Sequence, residues 1–210
     1  MTVEEAMKTR RSVRRFRIDH PGRERIESLI ELAVTAPSAS NKQPWRFFAT
    51  DNRQTIERMA EAVQEAVDRI VQHIDSSYMD AFRAYGDYFV RFKTAPVVIV
   101  VAYREIVVLS NLVDSDLEKE DLEQIRMMEF NSGLTSTSLA IENLLLSAHS
   151  SGLGASCMTG PLVAANTIKS ILAIPDSWNI AAVIAVGYPD EEPQPTGRKS
   201  AEVVLRWANS

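Results

Sequence analysis

Apolar positions recur at helical spacing through the first third of the chain. Thr2-Val3-Glu4-Glu5 has the spacing of a capping box and predicts a short helix running toward Arg10. After Pro21-Gly22, the residues Ile26, Leu29, Ile30, Ala33 and Val34 form one apolar stripe, and Pro37 ends the helix they predict. Arg46-Phe47-Phe48-Ala49-Thr50 reads as a strand. Asn52 is a good N-cap residue, and from it Ile56, Met59, Ala60, Val63, Val67, Ile70, Val71 and Ile74 trace a long amphipathic helix. A second helical piece at about 78–92 carries an aromatic face of Tyr85, Tyr88, Phe89 and Phe92.

Pro96 to Tyr103 is a continuous apolar run rich in β-branched residues, the pattern of a strand covered on both faces. Between Arg104 and Arg126 the periodicity fades and charge rises around Asp114 to Asp121, which reads as a mobile lid or a solvated helix. Glu129 to Ser151 predicts a helix that is apolar nearly all round, so it belongs deep in the fold or at a subunit interface; Gly152-Leu153-Gly154 stops it. A short strand at 155–158, a helix at about 162–172 and, in the run 180–189, a buried strand ending in a turn follow. Beyond the proline-spaced stretch 191–195, Val203 to Trp207 reads as a terminal strand or extended arm. Helices interrupted by a few long-range strands predict an α+β fold in a single domain, 1–210, with a helical or lid excursion at about 78–126.

A chain of 210 residues, 45% hydrophobic and 24% charged, can bury a sizeable core as a water-soluble domain. Its net charge of −5 argues against nucleic acid as a partner. No apolar run approaches the roughly 20 residues of a membrane span, and Met-Thr-Val-Glu-Glu does not resemble an export signal. One cysteine, Cys157, leaves no intramolecular disulfide and no Cys-based structural zinc site, and it suits the reducing cytoplasm. The three histidines lack metal-ligand spacing. In its apolar setting Cys157 is expected to be a small buried hydrophobe.

Against this acidic background, Arg10-Arg11-Ser12-Val13-Arg14-Arg15-Phe16 sets four cations and a hydroxyl within six residues, which suits a small anionic ligand. Further on, Ala36-Pro37-Ser38-Ala39-Ser40-Asn41-Lys42-Gln43-Pro44-Trp45 is a loop of small and amide side chains between two prolines, able to approach a flat ligand closely. Near the C-terminus stands Gly197-Arg198-Lys199-Ser200. These three segments in this order, with Gly152-Leu153-Gly154-Ala155-Ser156-Cys157-Met158-Thr159-Gly160-Pro161 between the last two, resemble the nitroreductase family of FMN-dependent oxidoreductases.

The resemblance implies a three-layer α-β-α sandwich with a central, mostly antiparallel sheet, in an intertwined homodimer that binds FMN at its interface. By the same resemblance Arg10, Ser12 and Arg198 hold the FMN phosphate, with Arg11 and Lys199 as neighbouring cations. Arg14 stands near the pyrimidine edge of the ring, where a cation stabilises the charge gained on reduction. The loop Pro37, Ser38, Ala39, Ser40, Asn41 and Gln43 reaches the flavin held mainly by the partner, its two amides suiting ribityl hydroxyls, while Trp45 belongs to the core. Backbone groups of Met158, Thr159 and Gly160 lie beside the reactive edge, an N–H there being suited to orient N5. One departure stands out: many members have a Gln-Asn pair in the helix before Gly-Leu-Gly, and this chain has Glu142-Asn143. The implied reaction is ping-pong transfer of a hydride from NADH or NADPH through FMN to a nitroaromatic, quinone or enone. Reductive dehalogenation, fragmentation of the flavin itself, and non-catalytic flavin binding are the competing readings.

Overall fold

In the computed structural model, which describes residues 1–114 and 116–208, a four-stranded antiparallel sheet is sandwiched between two helical layers. Ser115, inside the charged run of the expected lid, lies outside the described residues. The strands are β1 (Trp45–Thr50), β2 (Val97–Tyr103), β3 (Gly154–Met158) and β4 (Asn179–Gly187), in the order β1-β2-β4-β3. The helices are α1 (Val3–Thr9), α2 (Arg23–Ala33), α3 (Arg53–Val71), α4 (Met79–Gly86), α5 (Lys119–Ser150), α6 (Ala165–Ile171) and α7 (Ala201–Val204).

Strand alternation builds two cores. Every residue of β2 is buried, and its odd positions Val97, Ile99, Val101 and Tyr103 meet Ile26, Leu29 and Ala33 of α2 and Ile141, Leu144 and Ala148 of α5. Its even positions Val98, Val100 and Ala102 face Ile56, Met59, Val63 and Val67 of α3 and Ile168 of α6. This period of two on a strand with both faces covered is why the run at 96–103 carries no polar residue.

Local signals hold where they were strongest. Thr2 and Glu5 close a reciprocal capping box on α1, and the Asn52 side chain accepts the Thr55 N–H to cap α3. At the end of α5, Gly152 takes φ +78° and the Leu153 N–H donates to the Ala148 carbonyl at 2.8 Å, a glycine-closed helix end. Two expectations are corrected. The helix expected from Glu129 begins ten residues earlier, at Lys119, with Glu120 and Asp121 in a first turn that complements the helix dipole. Of the two alternatives for Val203 to Trp207 the strand does not form: Val203 and Val204 close the one-turn α7, after which Leu205 is extended and Trp207 is 81% exposed, as in an arm. Among the described residues no helix is long and apolar enough to cross a membrane.

Candidate functional site

The arginine segment is fixed along the free edge of the sheet. Arg10 ends α1, its N–H donating to the Ala6 carbonyl at 2.9 Å. Ser12 then bridges Ala155 of β3, the Val13 N–H donates to the Ala155 carbonyl at 3.1 Å, and Phe16 bridges Pro189. Val13 and Phe16 turn into the core, while Arg10, Arg11, Ser12 and Arg14 remain partly exposed. Gly154 permits this approach, since a Cβ there would stand 2.8 Å from the Val13 side chain. Glu191 locks the far end, accepting the Arg14 and Arg15 N–H groups at 2.5 and 3.0 Å and pairing with the Arg15 guanidinium at 3.4 Å.

This placement makes one wall of a cavity of about 500 Å³. Arg10 and Arg11 line it, with Leu145 and His149 of α5 opposite and the stretch Glu191–Pro195 as a third side. Arg11 donates to the Lys8 and Arg10 carbonyls at 2.9 and 2.8 Å. The buried Nε of Arg10 has no hydrogen-bond partner, and its nearest counter-charge is Oε1 of Glu142 at 3.6 Å. A desolvated guanidinium with an unused donor is the group that an anion in the cavity satisfies. Burial and the neighbouring Arg10 and Arg11 push the His149 pKa down, so it adds a neutral ring beside Thr9, 2.7 Å from the Thr9 hydroxyl.

Cys157 corrects the expectation of a buried thiol, for it is exposed on β3. The strand lies at the sheet edge, and Cys157 follows Ala155 onto the α5 face, beside Glu142, where it remains open to solvent. Desolvation by its surroundings, then the Glu142 carboxylate, raises its pKa, with Arg10 opposing. Met158 is buried, Thr159 exposed and Gly160 half-buried. Gly160 is pressed against Phe89, whose ring would stand 2.2 Å from a Cβ at that position. Phe89 therefore supports the turn at 158–160, a contact that only the tertiary fold reveals.

The small-residue loop is pre-shaped. Ser40, Asn41 and Gln43 all take positive φ, 50°, 53° and 47°, a region costly for side-chain-bearing residues. It is held by the Ala39 N–H on the Ser136 hydroxyl at 3.2 Å, the Gln43 N–H on the Ser38 hydroxyl at 3.0 Å, and the Gln43 amide on Asn41 Oδ1 at 3.3 Å. Trp45 is buried against Ala36 and Ala140, as expected. Pro37, Ser38 and Ala39 border a groove of about 440 Å³ along α5, lined also by Met128, Asn131 and Leu139. No residue of this loop lines the cavity of Arg10. Arg198 and Lys199 do not line it either: both are exposed, and among the described residues Arg198 donates to Thr196 and to the carbonyl of Gly197.

One functional-looking residue escaped the sequence. Glu129, 4% exposed on α5, accepts the N–H groups of Val108, Leu109 and Ser110 at 2.7, 2.5 and 3.1 Å and the Ser110 hydroxyl at 2.5 Å. It clamps the segment after β2 onto the helix. Ser110 and the three amides outweigh desolvation and lower its pKa from 4.5 to about 2. A carboxyl depressed on folding stabilises the native state above its unfolded value and loses that contribution as pH falls from about 4.5 toward 2. Glu129→Gln is thus expected to be less stable than the parent at pH 7 and to approach it at pH 2. Denaturant melts at both pH values measure this, and parallel pH profiles would remove the clamp.

The sequence model of the nitroreductase family matches residues 7–188. A protein of Methanothermobacter thermautotrophicus, provisionally named NADH dehydrogenase/NAD(P)H nitroreductase, is 32% identical over 196 residues, covering 92% of this chain and 80% of its own. A BluB-like flavoprotein from Clostridium difficile 630 superposes with a TM-score of 0.86 at 24% identity, over the whole of both chains. An iodotyrosine deiodinase bound to FMN and 3-iodo-L-tyrosine superposes with a TM-score of 0.74 at 20% identity, over 99% of this chain and 100% of its own. The α-β-α sandwich, the edge-bound arginine segment and the match along 182 residues place this chain in the nitroreductase family.

Proposed function

We propose that this protein is an FMN-dependent oxidoreductase that accepts hydride from NADH or NADPH and passes it to a nitroaromatic, quinone or enone acceptor, acting as a cytoplasmic homodimer. The observation that carries the reading is the Arg10 guanidinium, buried at an unpartnered Nε in the wall of a cavity large enough for a mononucleotide. A flavin phosphate, carrying nearly two negative charges, fits that donor set. FMN, when bound, supplies the two-electron chemistry.

The chain's own groups bind and orient. Arg10, Arg11 and Ser12 hold the phosphate, and Arg198 and Lys199 join from the exposed C-terminal arm. Arg14, whose peptide is fixed by Glu191, biases the ring toward its reduced form. The Met158–Gly160 backbone, backed by Phe89, orients the reactive edge. Loop 37–43 reaches the partner's flavin, which accounts for its separation from the Arg10 cavity in a single chain. Exposed Met127, Met128, Phe130 and Leu139 on α5 and Trp207 on the arm are the apolar surface that such a dimer covers.

The test is the visible spectrum of the purified protein, followed by NADH and NADPH in turn without oxygen. A yellow protein that bleaches supports the reading, and the faster nicotinamide is the donor. Protein that is yellow but does not bleach leaves a flavin-binding role, and a colourless protein that ignores added FMN overturns the reading. Reductive dehalogenation is the second reading, favoured by the superposition on the deiodinase; it predicts reoxidation by iodotyrosine and none by nitro compounds. Arg14→Ala is expected to lower the flavin's reduction potential more than its occupancy, as read by equilibration with a reference dye. An unchanged potential would remove Arg14 from the ring.

A further inference from the structure

Glu142 of α5 faces Arg10, and the structure pairs the two charges. It lies one and two turns before Leu145 and His149, which line the cavity, and so shares their face of α5. Its Oε1 stands 3.6 Å from Nε of Arg10, beyond hydrogen-bond reach but within strong Coulombic reach. Arg10 is the more covered of the two, with its side chain 23% exposed against 49% for Glu142. The pair therefore balances charge while leaving the buried Nε of Arg10 without a hydrogen-bond partner. The field of the same carboxylate reaches β3, where it opposes ionisation of Cys157.

Resting on the reading that Arg10 holds the FMN phosphate, we infer that Glu142 is a built-in counter-charge of that site, steadying Arg10 before the cofactor arrives and setting how strongly FMN is preferred over riboflavin. Two effects act in one direction. The carboxylate lowers the positive potential that draws the phosphate, and it repels the phosphate once both flank the same guanidinium. Riboflavin, which lacks the phosphate, meets neither effect. Glutamine is nearly isosteric with glutamate, so Glu142→Gln removes the charge with little change of shape.

The test titrates the full-length chain, stripped of flavin, with FMN and separately with riboflavin, following quenching of flavin fluorescence. The four proteins are the parent, Glu142→Gln, Arg10→Ala and the double variant, each checked by thermal melting. The expected result is FMN binding about 10-fold tighter in Glu142→Gln, riboflavin binding unchanged, and the gain abolished in the Arg10→Ala background. Unchanged or weaker FMN binding in Glu142→Gln overturns the inference while leaving FMN binding by the parent intact. Equal tightening of riboflavin also overturns it, since the carboxylate would then act on the ring. A parent that binds neither flavin overturns the underlying reading, and the inference with it.

Discussion

Arg10→Ala is expected to lower FMN affinity about 100-fold, giving protein that purifies nearly colourless. Guanidinium meets phosphate through paired, charge-assisted hydrogen bonds worth about 1.5–3 kcal/mol, roughly 10- to 100-fold in affinity. The upper end applies because the substitution also strands Glu142, whose carboxylate would then face the phosphate without its cation. Arg11 still lines the same cavity, so binding is expected to weaken without vanishing. Arg198→Ala should be milder, within about 10-fold, because its side chain lies on an exposed arm and its bonds are to its chain neighbours Thr196 and Gly197. The ratio of flavin to protein absorbance on purification, followed by titration with FMN, reads both. Full flavin content in Arg10→Ala would remove this cavity from cofactor binding.

Gly133→Ala is the second large effect, and its sign is opposite to what helix propensity gives. Within a helix alanine is favoured over glycine by about 1 kcal/mol. In α5, however, a Cβ at 133 would stand 2.2 Å from the carbonyl oxygen of Arg104 and 3.1 Å from its carbon. That oxygen belongs to backbone whose N–H already donates to the Pro44 carbonyl at 3.0 Å, and whose continuation is clamped four to six residues later by Glu129. The obstruction cannot be relieved by a side-chain rotation, so the segment must lift from the helix. A net destabilisation of about 2 kcal/mol is expected, lowering Tm by about 5 °C. Gly197→Ala, where nothing lies within 4 Å, is the control expected to melt with the parent. An unchanged melting point in Gly133→Ala would mean that the loop after β2 is free to part from α5.

These contrasts show which parts of the molecule the sequence carries legibly. The capping box at Thr2, the Asn52 cap, the stripe of α3 and the apolar run of β2 are local patterns with local causes, and each forms where its residues predict. The start of α5 was less legible because its apolar residues lie on all sides and its first turn is charged, so periodicity could not distinguish helix from lid. Glu129 left no mark because its partners are backbone amides, which every residue owns. Phe89 against Gly160, and Glu142 against Arg10, join residues 71 and 132 positions apart, and nothing in the spacing of either pair signals contact. The cysteine misled for a related reason: an apolar neighbourhood in sequence at 155–158 is an edge strand in space. The sequence marks Arg10, Arg11, Ser12 and Arg14 as one cationic cluster, whereas only the fold shows that Arg10 and Arg11 line a cavity that neither loop 37–43 nor Arg198 lines.

The pairing of the arginine segment also sets a schedule for synthesis. Ser12 and Val13 dock on Ala155, Phe16 on Pro189, and the peptides of Arg14 and Arg15 on Glu191. Residues 12–16 thus wait for partners made some 140 to 177 residues later, a closure of long sequence separation that is intrinsically slow. On the ribosome the cavity of Arg10 cannot assemble until the stretch 191–195 that forms its third side has emerged, so a nascent chain stalled before Glu191 carries Arg10 to Arg15 and no pocket to put them in.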